Sequence, residues 1–247
     1  MNFWVDAEWP TPAWIKAGTT TVHSGFSLPP YAGLNLAEHV GDELERVRQN
    51  RNLLEKELNL PSTPLWLQQV HGQEIIEDKN WFPNVSADAC FSKQQNSVCA
   101  ILTADCLPLL LCDEKNRQIA AVHIGWRGLC QNIVSASLSR FNSDHGNILA
   151  WIGPHIHAAN YEVGEDVRQA CLSAIPGADH AFTRVKEGYW LANLETLVRH
   201  QLEDSGITMI FGANRCTFKE QSDFYSYRRN NITGRMASLI WMESENI

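Results

Sequence analysis

The chain has 247 residues, a formal net charge of −8 and 44% hydrophobic residues. This length suits one large domain or two small ones, and the composition is that of an ordinary globular protein, which excludes a disordered tail, a collagen-like repeat and a membrane bundle. The acidic balance argues against wholesale binding of nucleic acid or anionic lipid, whose phosphates attract Lys and Arg, while leaving room for a small local arginine cluster.

In chain order, residues 1–14 carry Asp6 and Glu8 and lack both a basic leader and an apolar stretch, so no secretory signal is expected. Residues 43–58 read as a helix, with Leu44, Val47, Leu54 and Leu58 at helical spacing and Pro61 as its stop. Strands are expected at 65–70, 97–103, 107–112 and 118–124; in the second, Val98, Ala100 and Leu102 alternate with Cys99 and Ile101, so both faces are apolar and buried. A helix is expected over 128–141, a strand at 148–152, helices at 165–175 and 194–202, and strands at 207–211 and 236–241. Strand pairs mix with single helices, and neither GxGxxG nor GxxxxGK[ST] occurs. The order favours a single α+β domain over 1–247, with mixed β-sheets flanked by helices, over a Rossmann fold or a TIM barrel.

Seven cysteines occur (Cys90, Cys99, Cys106, Cys112, Cys130, Cys171 and Cys216), an odd number with no CxxC. The expectation is a reduced, cytoplasmic protein whose cysteines are mostly buried apolar residues. No apolar run reaches the ~20 residues that span a bilayer, so no membrane partner is expected.

Chemistry concentrates in three segments: Gln69-Val70-His71-Gly72, Thr103-Ala104-Asp105-Cys106-Leu107-Pro108 and His123-Ile124-Gly125-Trp126-Arg127-Gly128. Each sets a metal ligand or nucleophile at the end of an expected strand, where sites gather. Together His71, Cys106 and His123 make a His₂Cys set. It suits zinc and leaves a fourth position open. Their spacings match no short metal motif, and each residue taken alone reads more readily as structural. The Gly125–Gly128 turn into a helix offers an anion site, with Arg127 as a donor fork. Of Arg228 and Arg229, adjacent on an expected strand, one would face the site. Gly153-Pro154 and Glu162 are further candidates for the rim. His155 and His157 form an HxH, but nine scattered histidines are too few for a multicopper oxidase.

Taken together, QQVHG at 68–72, TADCLP at 103–108 and HIGWRGL at 123–129 resemble the YfiH-like laccase-domain family, also labelled polyphenol oxidase, peptidoglycan editing factor or purine nucleoside phosphorylase/adenosine deaminase. LPPYAGLNLAEHVGD at 28–42, ILAWIGPHI at 148–156, YEVGEDV at 161–167 and FYSYRRNNITGRMASLIW at 224–241 extend the likeness over roughly 20–242. The resemblance implies a domain like that of the toxin deamidases with a Cys–His site. It implies one zinc held by His71, Cys106 and His123, with copper as the other metal. It further implies phosphorolysis of adenosine, inosine and methylthioadenosine with deamination of adenosine, the catalytic set being Cys106, His123 and His71. Phosphate is expected at Gly125, Arg127, Arg228 and Arg229. Val22 departs from the pattern, standing where the family often has arginine, with His23 beside it. Competing readings are a cysteine hydrolase or amidase using Cys106 and His123, acting on cell-wall precursors, a copper-dependent polyphenol oxidase, and a non-enzymatic metal-stabilised binding module. Partners are a purine nucleoside and phosphate, with no nucleic acid; the oligomeric state is left open.

Overall fold

The structure, a computed structural model, describes residues 2–244. Its strands are β1 (Trp4–Asp6), β2 (Ile15–Thr20), β3 (Ile75–Glu77), β4 (Ala89–Ser92), β5 (Val98–Thr103), β6 (Leu107–Asp113), β7 (Gln118–Ile124), β8 (Leu149–Ile152), β9 (Glu162–Gly164), β10 (Phe182–Lys186), β11 (Tyr189–Ala192), β12 (Met209–Gly212) and β13 (Met236–Met242). Its helices are α1 (Leu44–Glu57), α2 (Trp126–Cys130), α3 (Ile133–Leu138), α4 (Glu165–Ala174) and α5 (Leu194–Asp204). The strands form a four-stranded sheet ordered β1-β2-β13-β5, a six-stranded sheet ordered β12-β8-β6-β7-β4-β3, and a small sheet β10-β11-β9. In the six-stranded sheet β12 runs parallel to β8 and β3 to β4, while the central pairings are antiparallel, so the sheet is mixed.

The period-2 alternation of the central strands explains the layers. Leu107, Leu109 and Leu111 of β6, with Ala120, Val122 and Ile124 of β7, face Leu129, Ile133, Leu138, Leu197 and Leu202 of the helices. The alternate residues Leu110, Cys112, Ile119 and Ala121 face Ile15, Ile101 and Ile240 of the four-stranded sheet. That sheet's far side, with Val98, Ala100, Leu102 and Leu239, packs against Leu54 of α1 and against Leu34 and Leu36. The molecule is thus two sheets face to face with helices on both outer sides. The α+β expectation holds.

Three expectations give way. Residues 65–70 make only isolated bridges, from Leu65 to Cys99 and Gln68 to Ser86. Here the Gln69 side chain takes the place of backbone pairing on the edge of β5, accepting from Leu102 N at 2.7 Å and donating to Leu102 O at 2.8 Å. The expected 128–141 helix begins earlier, at Trp126, and breaks into α2 and α3 because Asn132 is left-handed, at φ 63°. Residues 224–229 are loop and turn, not strand. Strands β1–β4 and β9–β11 were not legible because they are short or, like β2 with IKAGTT, lack a clear alternation.

Candidate functional site

The β5–β6 turn, the end of β7 and the 70–72 turn converge on one cavity of about 490 Å³, within the roughly 300–1,000 Å³ usual for small-molecule sites. Ligand atoms of His71, Cys106 and His123 all lie within 4.8 Å of one another. His71 Nε2 is 3.9 Å from Cys106 Sγ, and the two imidazoles meet edge to face at 4.7 Å. A tetrahedral ion with bonds of about 2.0–2.3 Å spaces its donors roughly 3.3–3.7 Å apart, so a small side-chain adjustment closes this set around a metal. One thiolate and two imidazoles are donors for a borderline-soft divalent ion.

A residue that sequence patterning did not single out organises this set. Asp88, fully buried, holds His123 Nδ1 at 2.8 Å and accepts from the backbone N–H groups of Val70, His71 and Gly72 at 3.2, 2.9 and 2.7 Å. One carboxylate therefore orients one ligand side chain and folds the turn bearing another, which is why His71 stands at a left-handed φ of 61°. The bond at Nδ1 leaves His123 Nε2 as its donor atom. The electrostatics follow. Burial opposes ionisation of Cys106, but His123 and His71 prevail and hold its thiol down at about 6. Burial likewise opposes the His123 imidazolium, yet Cys106 and Asp88 hold it up at about 9. Asp88 itself stays below the usual carboxylate range; burial works against this, and the bond from His123 and the turn N–H groups outweigh it.

Asp105 is the second unforeseen organiser. Its φ of 92° bends the turn that presents Cys106. Its carboxylate accepts from Thr217 Oγ1 at 2.7 Å, Ser226 Oγ at 3.0 Å and Arg228 N at 2.6 Å, pinning the 217–228 segment against the site.

The two adjacent arginines separate. Arg228 lines the cavity, lies over the Tyr161 ring at 5.2 Å and donates to Glu162 O. Arg229 does not line it. Its guanidinium donates to the carbonyls of Thr217, Phe218 and Phe224 and serves the loop, which corrects its expected place among phosphate contacts. Arg127 and Gly125 both line the cavity, joined by Arg235, which pattern reading missed. The glycines have a packing reason as well: a Cβ on Gly125 would stand 2.9 Å from His71 Cδ2, and one on Gly128 2.8 Å from Gly72 O. Tyr161, not Glu162, faces the site, and Gly153 is packed against Pro108, Trp151 and Thr19 instead of on the rim. His23 pairs with Asp223 at 2.8 Å in a separate cleft and does not replace the missing arginine at position 22. Among the described residues no helix is long and apolar enough to cross a membrane.

The chain is similar to known proteins across their length. The family described as multi-copper polyphenol oxidoreductase laccase matches residues 16–243. A Shigella flexneri protein named purine nucleoside phosphorylase YfiH is 44% identical over 243 residues, covering 98% of this chain and all of its own. A Haemophilus influenzae protein named purine nucleoside phosphorylase is 41% identical, covering 97% and 99%. The crystal structure of a Neisseria meningitidis protein superposes with a TM-score of 0.94 at 37% identity, covering 98% of this chain and 100% of its own. The chain belongs to the YfiH-like laccase-domain family.

Proposed function

We propose that the protein is a cytoplasmic, zinc-dependent purine nucleoside phosphorylase acting on adenosine, inosine and methylthioadenosine, with adenosine deaminase activity in the same cavity. The observation that carries this reading is that the His71–Cys106–His123 set and Arg127, Arg228 and Arg235 line one small-molecule-sized cavity. The names of the relatives support the phosphorylase part. Zinc suits the one-thiolate, two-imidazole set and, when bound, supplies Lewis acidity towards an oxygen ligand.

In phosphorolysis the C1′–N9 bond breaks and its electron pair leaves with the purine. A phosphate oxygen forms the new bond to C1′, through a transition state with oxocarbenium character. Arg127 and Arg228 place and neutralise the phosphate, and Arg235 adds a third guanidinium to the cavity lining. Trp126 and Tyr161 give the purine and ribose an aromatic surface. Asp88 keeps His123 in one tautomer and His71 in place. Deamination exchanges the C6 amino group for a water oxygen, releasing ammonia, and uses the same residues to hold the base.

The decisive experiment measures phosphate-dependent release of adenine and ribose 1-phosphate by zinc-loaded protein. Turnover is expected, with Arg228→Ala raising the KM for phosphate about tenfold. Absence of turnover across several nucleosides overturns the reading.

One observation favours a second reading. Cys106, His123 and Asp88 line up as nucleophile, base and orienter, the thiol held at about 6. A cysteine hydrolase of this kind keeps its activity under chelation and forms an adduct on Cys106; loss of activity on chelation rejects it. A multicopper oxidase is disfavoured, because among the described residues one group of three such ligands lies close enough for a metal.

A further inference from the structure

Outside the site, two cysteines face each other. Cys130 ends α2 and is half-buried; Cys171, the one buried residue of α4, is 1% exposed. Their sulfurs are 3.3 Å apart, although 41 residues separate them in sequence. Neither is a ligand, and the cavity already described includes neither. The remaining non-ligand thiols, Cys90, Cys99, Cys112 and Cys216, are all buried, Cys90, Cys99 and Cys112 completely. Cys130 is thus the thiol outside the site that solvent reaches, and its nearest sulfur is already in contact.

We propose that Cys130 and Cys171 form a redox modification site, in which a small peroxide oxidises Cys130 and Cys171 resolves it to an intrachain disulfide. The Cys130 thiolate attacks one peroxide oxygen, the O–O bond breaks, and the departing hydroxide takes a proton to become water. Cys130 is left as a sulfenic acid. The Cys171 sulfur then attacks the Cys130 sulfur, the S–O bond breaks, and a second water leaves carrying the Cys171 proton. Two thiols and one hydrogen peroxide give one disulfide and two waters.

The contact favours this order. The hydrogen bond from Cys171 holds the Cys130 thiol below its ordinary value despite burial, and the more accessible sulfur is the better thiolate. Closing the gap to a covalent bond of about 2 Å draws α2 towards α4. Because α2 is a five-residue helix that also carries Trp126 and Arg127, the bond fixes one wall of the cavity. This inference rests on the cysteine pair and stands whichever activity the cavity has.

The test treats the metal-loaded full chain with one equivalent of hydrogen peroxide, alkylates the remaining thiols, and maps unreduced peptides by mass spectrometry. Expected are a loss of two hydrogens from the intact mass, a linked Cys130–Cys171 peptide, and full reversal by dithiothreitol. Cys130 is expected to react about tenfold faster than Cys216. Cys130→Ser, a substitution at the half-buried position, abolishes the link, and Cys171→Ser leaves Cys130 carrying added oxygen. The wild-type map decides the matter even if Cys171→Ser folds poorly. Cys171 still open to alkylation while Cys130 is overoxidised, or the same mass loss in Cys130→Ser, overturns the proposal.

Discussion

Two of the histidine pairs on this chain have opposite characters. His71 and His123 meet edge to face beside Cys106, with Asp88 behind them. His155 and His157 lie 5.2 Å apart, flanking Ile156, whose side chain lines the cavity while theirs do not. His155 is just as buried as His123, at 2% against 3% exposure. Yet burial pulls His155 down to about 4, with the Gly153 carbonyl and Glu195 compensating only partly, whereas His123 is held up at about 9. The difference is the partner. His123 bonds a buried carboxylate at 2.8 Å and neighbours a thiol, while His155 Nε2 stands 3.8 Å from Glu195, beyond hydrogen-bond reach, and that carboxylate also serves Arg199. What makes the first pair a candidate ligand set is the third donor and the orienting carboxylate built around it.

The largest effect that would break this comparison is on metal binding. Cys106→Ala should lower zinc affinity by more than about a hundredfold, beyond what removal of an orienting group costs. The double change His155→Ala, His157→Ala should leave one bound metal per chain. Metal content and chelator competition read both, and loss of the metal in the second variant would show that the contrast is wrongly drawn.

Next in size is Asp88→Asn. Zinc affinity should drop about 10- to 100-fold, because His123 and the His71 turn lose their common anchor. The metal-free protein should also lose about 3 kcal/mol of stability as a buried charge pair is broken. Unchanged affinity with lowered stability would reduce Asp88 to a folding role.

The smallest effects are in pH dependence of the metal-free protein. His123, raised to about 9, contributes stability that is complete below its ordinary value near 6.5 and is lost as pH rises through about 9. Cys106, lowered to about 6 from an ordinary 9.0, contributes stability that is complete above that value and is lost as pH falls through about 6. Their shared ion pair therefore exists between about 6 and about 9, and alkylation of Cys106 should show a midpoint near 6. His155, lowered to about 4, contributes stability that is complete above about 6.5 and is lost as pH falls through about 4. In that acid window His155→Gln should lose less stability than the unaltered chain. Denaturant titrations at each pH read these stabilities, and an acid-end loss as large in His155→Gln as in the unaltered chain would erase the distinction between the pairs.

The sequence by itself determined the sheet core and singled out His71, Cys106 and His123, which the structure brings together. Strands β5, β6 and β7 were legible because their apolar residues alternate on both faces, and α1 because Val47 and Leu54 recur at helical spacing. Those three residues stood out as a set because each ends an expected strand and lies in one of the segments QQVHG, TADCLP and HIGWRGL, although their spacing matches no short metal motif. Tertiary structure alone decided what surrounds them. Asp88 and Asp105 carry no local pattern, and their partners lie 16 to 35 and 112 to 123 residues away. Arg228 and Arg229 are chemically identical neighbours, separated in role only because a turn sends one over Tyr161 and the other to three carbonyls. Local periodicity records which face of an element is buried. It does not record which distant polar group meets which, because that pairing is set by packing after the elements have formed.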